Sequence, residues 1–436
     1  MKIVKVLAII LVALVVVGVI GLFAGRQMLT GYLTPEFLVE QIESRWNCRA
    51  KVDSVESEIL GTSVVKVSGL RLAPRNATDA ELENAPLFAE TVELQVKTAD
   101  LIARRLRVEH LEVSNVTANT LIDREGESSL SKMFEPLEKE VRDPTATYKE
   151  DTEVKIDLSA SLNLDGDEDD PAAKNLPLSL VADRFELKNG TVEAIIEASG
   201  ARVQIENFDV AFTDIDVNPR HLNSHNRANF QFGGDLTVVS GDPKSGDLAT
   251  AHVNGQGQMR PFNPTTGEVD PAYQIDLIIS EGAQLNTFPI LEKLQTMVKE
   301  MDTPGVSLDR LELRGELVSD AKTRIVQADG KYMVTEPLVL QLPDVGLAIK
   351  NESWIDTSTN QHDLKGSLIL SETFSAEVET MVEAYLKANP QEIKIGGVKI
   401  GEVKLDKMKD VILAPVKKNN RIVLDVVSLG DMSDPK

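Results

Sequence analysis

The chain has 436 residues, of which 42% are hydrophobic, enough for two or three ordinary domains or one elongated domain. Its formal net charge is −23, from 46 basic and 69 acidic residues, which argues against a nucleic-acid partner and against broad docking on anionic lipid. A single cysteine, Cys48, excludes an intrachain disulfide, and its neighbours do not resemble a lipoprotein signal. As free cysteines usually are, it is expected to be a small buried apolar side chain rather than a reactive thiol.

Residues 3–23 form an almost wholly apolar run, and a helix needs about 20 such residues to span a bilayer. The run exceeds the usual core of a cleaved signal peptide and ends in a poor cleavage site, so a retained anchor (1–25) is favoured over a cleaved signal. Lys2 and Lys5 at its start predict a cytoplasmic N-terminus and a periplasmic remainder, that is, a single-pass inner-membrane protein. The anchor positions singled out are Ile3, Leu7, Leu11, Leu14, Val17 and Phe23.

The region 26–134 begins with a predicted helix, which Thr34 would cap and which Pro35 would start. Alternating apolar and polar residues then predict antiparallel strands with one aliphatic face, and an extra residue near His110 predicts a bulge. The aliphatic residues of the second and third strands are Val92, Leu94, Val96, Leu106, Val108, Leu111 and Val113.

This order of elements resembles the N-terminal region of the AsmA family of bacterial envelope proteins. The matching phrases are Leu-x-Leu at residues 70–72, Asn-Ala-Pro-x-Phe-Ala at 84–89 and an arginine-glycine-leucine phrase at 124–130. The middle of the chain and residues 308–317 are also similar to family repeats, whereas residues 396–401 depart from the family's C-terminal phrase.

Differences in composition divide residues 135–285 into a predicted loop and a predicted β region. Residues 135–175 predict an acidic, proline-containing loop, and the run 165–170 fits a solvated loop better than a calcium loop, which requires glycine and glutamate at fixed positions. Residues 176–285 predict a middle β region with two-residue hairpin turns at Asn189-Gly190 and Gly233-Gly234. Its long strand, or pair of strands, at 203–217 carries the apolar residues Phe208, Val210 and Phe212.

Further along, amphipathic helices are predicted at 286–302 and 372–388. They separate a β region at 303–371, whose strands begin at 308–317, from a C-terminal β region at 389–436, whose strands include 403–405 and 411–413. The fold class is therefore mainly β: an N-terminal transmembrane helix, then an antiparallel sheet with about three amphipathic helices. The family resemblance implies that this sheet is an elongated, curved, half-open groove.

Motifs of catalysis are missing from the sequence, which has no P-loop, nucleophile elbow or dinucleotide fingerprint. The chain is accordingly not expected to be an enzyme, and no catalytic, cofactor or metal residues are predicted. His221 and His225 follow Pro219 and fit a turn better than a metal-binding helix. The basic residues Arg104, Arg105 and Arg107 fit a solvated turn better than a lipid headgroup site.

The aliphatic strand faces leave two alternatives open. From the pattern alone they predict the core of an ordinary sandwich. The resemblance to the AsmA family, and to related TamB- and YhdP-type proteins, instead implies a groove that carries phospholipid acyl chains in the envelope, with membrane lipid as ligand and a possible envelope protein partner. The apolar row named above, extended by Phe208, Val210 and Phe212, would then face lipid. The alternative function is an assembly factor for outer-membrane proteins.

Overall fold

The structure is a computed structural model that describes 15 segments of the chain: 33–60, 62–97, 107–124, 127–134, 180–218, 221–242, 246–267, 269–286, 295–296, 307–328, 330–356, 359–389, 392–395, 398–402 and 405–431. The predicted anchor, the predicted acidic loop and most of the predicted helix at 286–302 lie outside these segments. Within the segments, no helix has the length and hydropathy that a membrane span requires.

The described chain is mainly β. Its helices are α1 (Pro35–Glu43), α2 (Asp79–Glu83), α3 (Ser129–Met133), α4 (Glu372–Ala388) and α5 (Leu405–Leu413). Its strands are β1 (Cys48–Lys51), β2 (Ser54–Leu60), β3 (Thr62–Pro74), β4 (Leu87–Lys97), β5 (Arg107–Ile122), β6 (Leu180–Ile196), β7 (Arg202–Val217), β8 (Asn226–Val239), β9 (Asp247–Phe262), β10 (Val269–Ile279), β11 (Gln284–Leu285), β12 (Gly315–Glu316), β13 (Ala321–Ala328), β14 (Lys331–Glu336), β15 (Leu338–Gln341), β16 (Val345–Ile349), β17 (Trp354–Asp356), β18 (Gln361–Leu370), β19 (Glu392–Ile395), β20 (Val398–Glu402), β21 (Lys417–Lys418) and β22 (Arg421–Asp431).

Twenty of these strands belong to one large mixed sheet, and β19 pairs with β20 in a separate two-strand sheet. The prediction of a purely antiparallel sheet is wrong for β5 and β6, which are parallel. A parallel pair needs a long crossover, which residues 123–179 supply between these two strands. Of the five described helices, α1 and α4 were predicted and three were not: α2 and α3, which have five residues each, and α5, which has nine.

Two compact units make up the chain. Unit 1 comprises Met1–Asp235 and Gly257–Ala272, and unit 2 comprises Leu236–Gln256 and Tyr273–Lys436. The predicted first helix is confirmed in unit 1, where Thr34 Oγ1 accepts the backbone N–H of Phe37 at 3.3 Å and Leu38 is buried. Cys48 is fully buried as predicted, and this burial raises the pKa of its thiol to about 12.

A break in the strand alternation runs across five strands of unit 1. It consists of Gly69, Glu90, Asn115, Asn189 and Asn207, which we call the kink line; four of them, all except Glu90, have φ between 49° and 65°. In β3, for example, the buried positions change from odd numbers before the line to even numbers after it. The extra residue in each strand therefore keeps one face of the sheet apolar on both sides of the kink line.

Side chains along the kink line bond to one another across the strands. Asn189 Nδ2 donates to Asn115 Oδ1 at 2.6 Å, and Asn115 Nδ2 donates to Glu90 Oε2. Gly69 has φ +65°, and a Cβ there would lie 1.9 Å from Asp53 Oδ2, so only glycine fits. Asparagine is the usual alternative at positive φ, which explains the residue types on this line.

The two predicted hairpin turns are wrong. Asn189-Gly190 lies inside the continuous strand β6, and Gly233-Gly234 lies inside β8. At Asn189 the positive φ, which a hairpin turn also requires, produces a shift in register against β7 instead of a chain reversal. The bulge predicted near His110 is confirmed, since the register between β4 and β5 shifts there.

The main core of unit 2 lies between its sheet and α4, which begins and ends as predicted. Phe374, Val378 and Val382 of α4 are buried against sheet residues that include Leu368 and Leu370 of β18. Ser375 Oγ also accepts the backbone N–H of Ile422 at 3.0 Å, which joins the helix to β22. The helix thus covers one end of the sheet face.

Two strand predictions in unit 2 are wrong. Residues 308–317 are mostly irregular, because the side chain of Gln295 bonds to the backbone of Leu311 and Leu313 in place of a neighbouring strand. The predicted strand at 411–413 is replaced by α5, which packs Leu413 on the core beneath α4. Of the predicted strand at 403–405, only Leu405 is among the described residues, and it is the first residue of α5. Both errors concern short leucine-rich segments whose alternation does not distinguish a strand from a buried coil or helix.

Candidate functional site

The predicted lipid-facing row is continuous in the structure. Leu94 pairs with Leu111, Leu111 with Phe185, and Phe185 with Phe212, so β4, β5, β6 and β7 contribute to one row. Its nine described members are 0–8% exposed, and Leu106 lies outside the described segments. The rings of Phe208 and Phe232 also pack at 6.3 Å between centroids. These side chains form the enclosed apolar interior of unit 1.

The opposite face of β5 and β6 carries a charged cluster. His110 Nε2 lies 2.8 Å from Glu186 Oε2, and Lys188 Nζ lies 2.6 Å from Glu112 Oε2. Arg184 Nη2 contacts the other oxygen of Glu186 at 2.5 Å. The parallel register brings these residues together, because His110 is opposite Arg184 and Glu112 is opposite Glu186.

Three of these residues could in principle hold a metal, since ligand atoms of His110, Glu112 and Glu186 lie within 4.8 Å of one another. Each carboxylate, however, already has a cationic partner, Lys188 for Glu112 and Arg184 for Glu186. A divalent cation would have to displace two charge-assisted hydrogen bonds and would then lie beside two like charges. The chemistry of this cluster is that of a structural ion-pair network.

The network sets the direction of two pKa shifts. The pKa of Glu112 is lowered chiefly by the hydrogen bond from Lys188. Burial raises the pKa of Glu186, but hydrogen bonds from Arg184 and His110 outweigh it, so the net shift is downward. A carboxyl group with a lowered pKa in the folded state stabilises the fold above its unfolded pKa, and this contribution is lost as the pH falls.

We therefore expect the free energy of unfolding of unit 1 to fall below about pH 4.5, the ordinary pKa of glutamate. In the Glu186→Gln variant this fall should be shallower, because one titrating group has been removed. Urea denaturation of the full chain in a Trp354→Phe background, at a series of pH values and followed by the fluorescence of Trp46, measures both slopes. Glu58→Gln, at an exposed position on β2, is the control, and equal slopes for Glu186→Gln and the wild type would contradict the prediction.

Unit 2 presents a different apolar face, which continues beyond the part that α4 covers. Register pairs place Ile275 opposite Ile325 and Ile325 opposite Val334, and Leu364 lies on the same face of β18. Ile325, Val334 and Leu364 are half-buried, and none of them belongs to the core beneath α4. We call this surface, formed by Ile275, Leu277, Ile325, Val334, Ile355 and Leu364, the unit 2 apolar face.

One edge of the unit 2 apolar face is polar. Tyr273, Gln327, Tyr332 and His362 follow one another along a single register row, with Ile355 between the last two; we call these four residues the polar row. The hydroxyls of Tyr273 and Tyr332 hydrogen-bond to each other from either side of Gln327, and burial raises the pKa of both. Gln327 and His362 are 6% and 5% exposed.

Sequence reasoning missed the polar row. A signal for it is present in the sequence: Gln327 and His362 are polar, although they stand at strand positions where the alternation of apolar and polar residues predicts an apolar one. The turn predicted around His221 and His225 is confirmed, with His225 Nδ1 3.0 Å from Asp216. Arg104 and Arg105 of the basic cluster, and the side chain of Arg107, lie outside the described residues.

Comparison with known proteins adds no assignment to this geometry. No model of a known protein family matches the chain, and no curated protein sequence matches it.

Proposed function

We propose that this chain is a membrane-anchored periplasmic protein of the AsmA type that supports phospholipid transport or homeostasis in the envelope. The observation that carries the proposal is the unit 2 apolar face, where half-buried aliphatic side chains continue past the end of the helix-covered core. The apolar run 3–23 and the resemblance of the N-terminal phrases support the membrane location.

Aliphatic strand faces suit this task energetically. Burying a methylene group yields about 0.8 kcal/mol, so exposing an acyl tail of about 14 methylenes to water costs roughly 11 kcal/mol. A continuous apolar surface reduces this cost at every point along it, without a deep pocket that would hold the tail too tightly. The unit 2 apolar face carries no charged side chain among its six residues, as contact with acyl chains requires.

The test is lipid retention by the full chain purified from membranes, measured by native mass spectrometry and lipid extraction. We expect phospholipid to co-purify with the wild type and to fall about tenfold in Ile325→Asp, because a carboxylate on the apolar face must be desolvated by the acyl chain. A lipid-free wild-type protein would overturn the proposal.

The matched control is Val326→Asp. Val326 is the next residue on β13, is also half-buried and faces the opposite side of the sheet. Its substitution should leave lipid retention unchanged, and an equal loss in both variants would indicate damage to the strand instead of to a lipid surface.

A second candidate function rests on the edge of the unit 2 sheet. Val427 and Leu429 of β22 are 57% and 50% exposed, and no described strand pairs with residues 424–431 on the side away from β18. Such an edge can accept an added strand from a partner, as an assembly factor for outer-membrane proteins would require. If the wild type retains no lipid, this candidate leads.

A further inference from the structure

One edge of the unit 2 sheet has no neighbouring strand among the described residues. The edge strand β22 pairs along one side with β18, through residues 423–431. On its other side it pairs only with the short strand β21, next to which the backbone N–H of Val423 donates to the C=O of Val416 at 2.7 Å. Residues 424–431 are unpaired on that side by any described strand, and we call them the free edge.

The backbone groups of the free edge point outward in a regular row. In antiparallel strands the N–H and C=O of one residue point to the same side, and successive residues alternate between the two sides. The N–H of Val423 points away from β18, so the N–H and C=O groups of Asp425, Val427 and Leu429 point the same way. No shift in register interrupts the pairing with β18 here. The row can therefore accept a further strand.

The free edge lacks the features that usually prevent strand pairing. Those features are charged side chains, proline residues and bulges. By contrast, β2, whose described pairing is with β3 alone, carries the exposed residues Glu56 and Glu58. Residues 426–430 of β22 include neither a charged residue nor a proline, and Val427 and Leu429 are more than half and half exposed, respectively. Such an edge is suited to pairing.

The free edge is complementary to a second copy of itself. If two copies pair antiparallel with Val427 opposite Leu429, both exposed aliphatic side chains of each copy meet those of the other. Ser428 then lies opposite Ser428 of the second copy, on the twofold axis. The pairing extends to Asp425 and ends before the part of β22 that β21 covers. The free edge thus has the length that self-pairing needs.

The charges at each end of such a pair balance. Asp425 lies 2.7 Å from Lys350 Nζ through one carboxylate oxygen and 3.0 Å from Lys418 Nζ through the other. The register places Asp431 of the second copy opposite Asp425. Each end then has two lysines for two aspartates, whereas in a single copy two lysines share one aspartate there. A partner of the same sequence therefore supplies the second negative charge.

We propose that two copies of the chain pair through β22, antiparallel and with Val427 opposite Leu429, and form one sheet across both copies of unit 2. The inference goes beyond the proposed function and does not depend on lipid binding. Ser428 and Leu364 are paired neighbours on one face of the sheet. Pairing about Ser428 therefore places the unit 2 apolar faces of both copies on the same side of the joined sheet.

The oligomeric state of the full chain in dodecyl maltoside tests the proposal, by native mass spectrometry and sedimentation from about 0.1 to 100 μM. We expect the wild type to form dimers as its concentration rises. Val427→Lys should raise the dissociation constant of the dimer about tenfold or more, because a lysine then lies beside Leu429 of the second copy at two symmetric positions. Val318→Lys, at a 49% exposed position of unit 2 outside β22, should dimerise like the wild type.

Cross-linking tests the register. In the Ser428→Cys variant the two thiols lie opposite each other in a pair without backbone hydrogen bonds, about 4.5 Å apart at Cα, which a disulfide can span. Mild oxidation should therefore give a covalent dimer. Val318→Cys reports random collisions and should give none, and the native Cys48 is buried and stays in place.

Three results would overturn the inference. A wild type that stays monomeric throughout leaves the free edge to a client strand, as the second candidate function requires. A dimer that Val427→Lys preserves as well as Val318→Lys does must use another surface. A dimer that Val427→Lys weakens but Ser428→Cys does not cross-link refutes the antiparallel register. Lipid retention is measured separately, so failure of the proposed function leaves all of these results unchanged.

Discussion

Replacement of Leu111 by aspartate is expected to abolish the cooperative folding of unit 1. Leu111 is fully buried and lies between Leu94 and Phe185 in the paired strands. Its paired neighbours Leu94 and Phe185 are apolar and offer a carboxylate no cationic partner, so the carboxylate must either stay charged in an apolar interior or take up a proton. We expect a loss of more than about 4 kcal/mol in the free energy of unfolding.

The two tryptophans allow this loss to be assigned to one unit. Trp46 belongs to unit 1 and Trp354 to unit 2, so urea denaturation in a Trp354→Phe background reports on unit 1 alone. Asn119→Asp is the matched control, because it adds the same charge at an exposed position of the same strand. A native-like transition for Leu111→Asp would contradict the enclosed interior described for unit 1.

Replacement of Phe374 by alanine is expected to lower the free energy of unfolding of unit 2 by about 3–5 kcal/mol. Phe374 is 4% exposed at the first turn of α4, where its backbone N–H donates to the capping Ser371 Oγ at 3.2 Å. The ring packs in the core between α4 and the sheet, and its removal leaves a cavity that the β-strands cannot close.

Fluorescence of Trp354 in a Trp46→Phe background measures this change in unit 2. Thr373→Ala, at the exposed neighbouring position of α4, should shift stability by no more than about 0.5 kcal/mol. If the two variants are equally stable, α4 does not cover the core of unit 2 as the structure has it.

Helices with both a cap and an apolar stripe were predictable from the sequence. The bounds of α4 and the start of α1 at Pro35 agree with prediction because cap and periodicity point to the same residues. Neither signal operates in residues 308–314, where three buried leucines belong to an irregular segment held by the side chain of Gln295. There tertiary packing decides the structure, which local sequence patterns do not record.

The wrong prediction of a hairpin turn at Asn189-Gly190 shows a second limit of prediction from sequence. A two-residue turn and a kink within a strand both require positive φ, so both favour asparagine and glycine. The two differ in the path of the chain beyond them: a turn reverses the chain, whereas after the kink β6 continues in the same direction beside the same partners, β5 and β7. The pairing with β5, whose residues are far apart from those of β6 in sequence, is not recorded by any local pattern.

The side-chain rows of the sheet were predictable only in part. The row through Leu94, Leu111 and Phe212 was predicted to share one face, and the register confirms that it does. Gln327 and His362 could not be placed together, because three strand pairings separate them. A group of side chains that is assembled across several strands of a sheet leaves no spacing signal along the chain.

The kink line limits how such a sheet can change during evolution. Loss of one residue from β5 between Asn115 and Ile122 would turn every later side chain of that strand to the wrong face, while its neighbours kept theirs. A newly duplicated strand without its own break would have the same fault. The gene can therefore gain or lose whole strands that already contain the break more readily than it can gain or lose single codons within them.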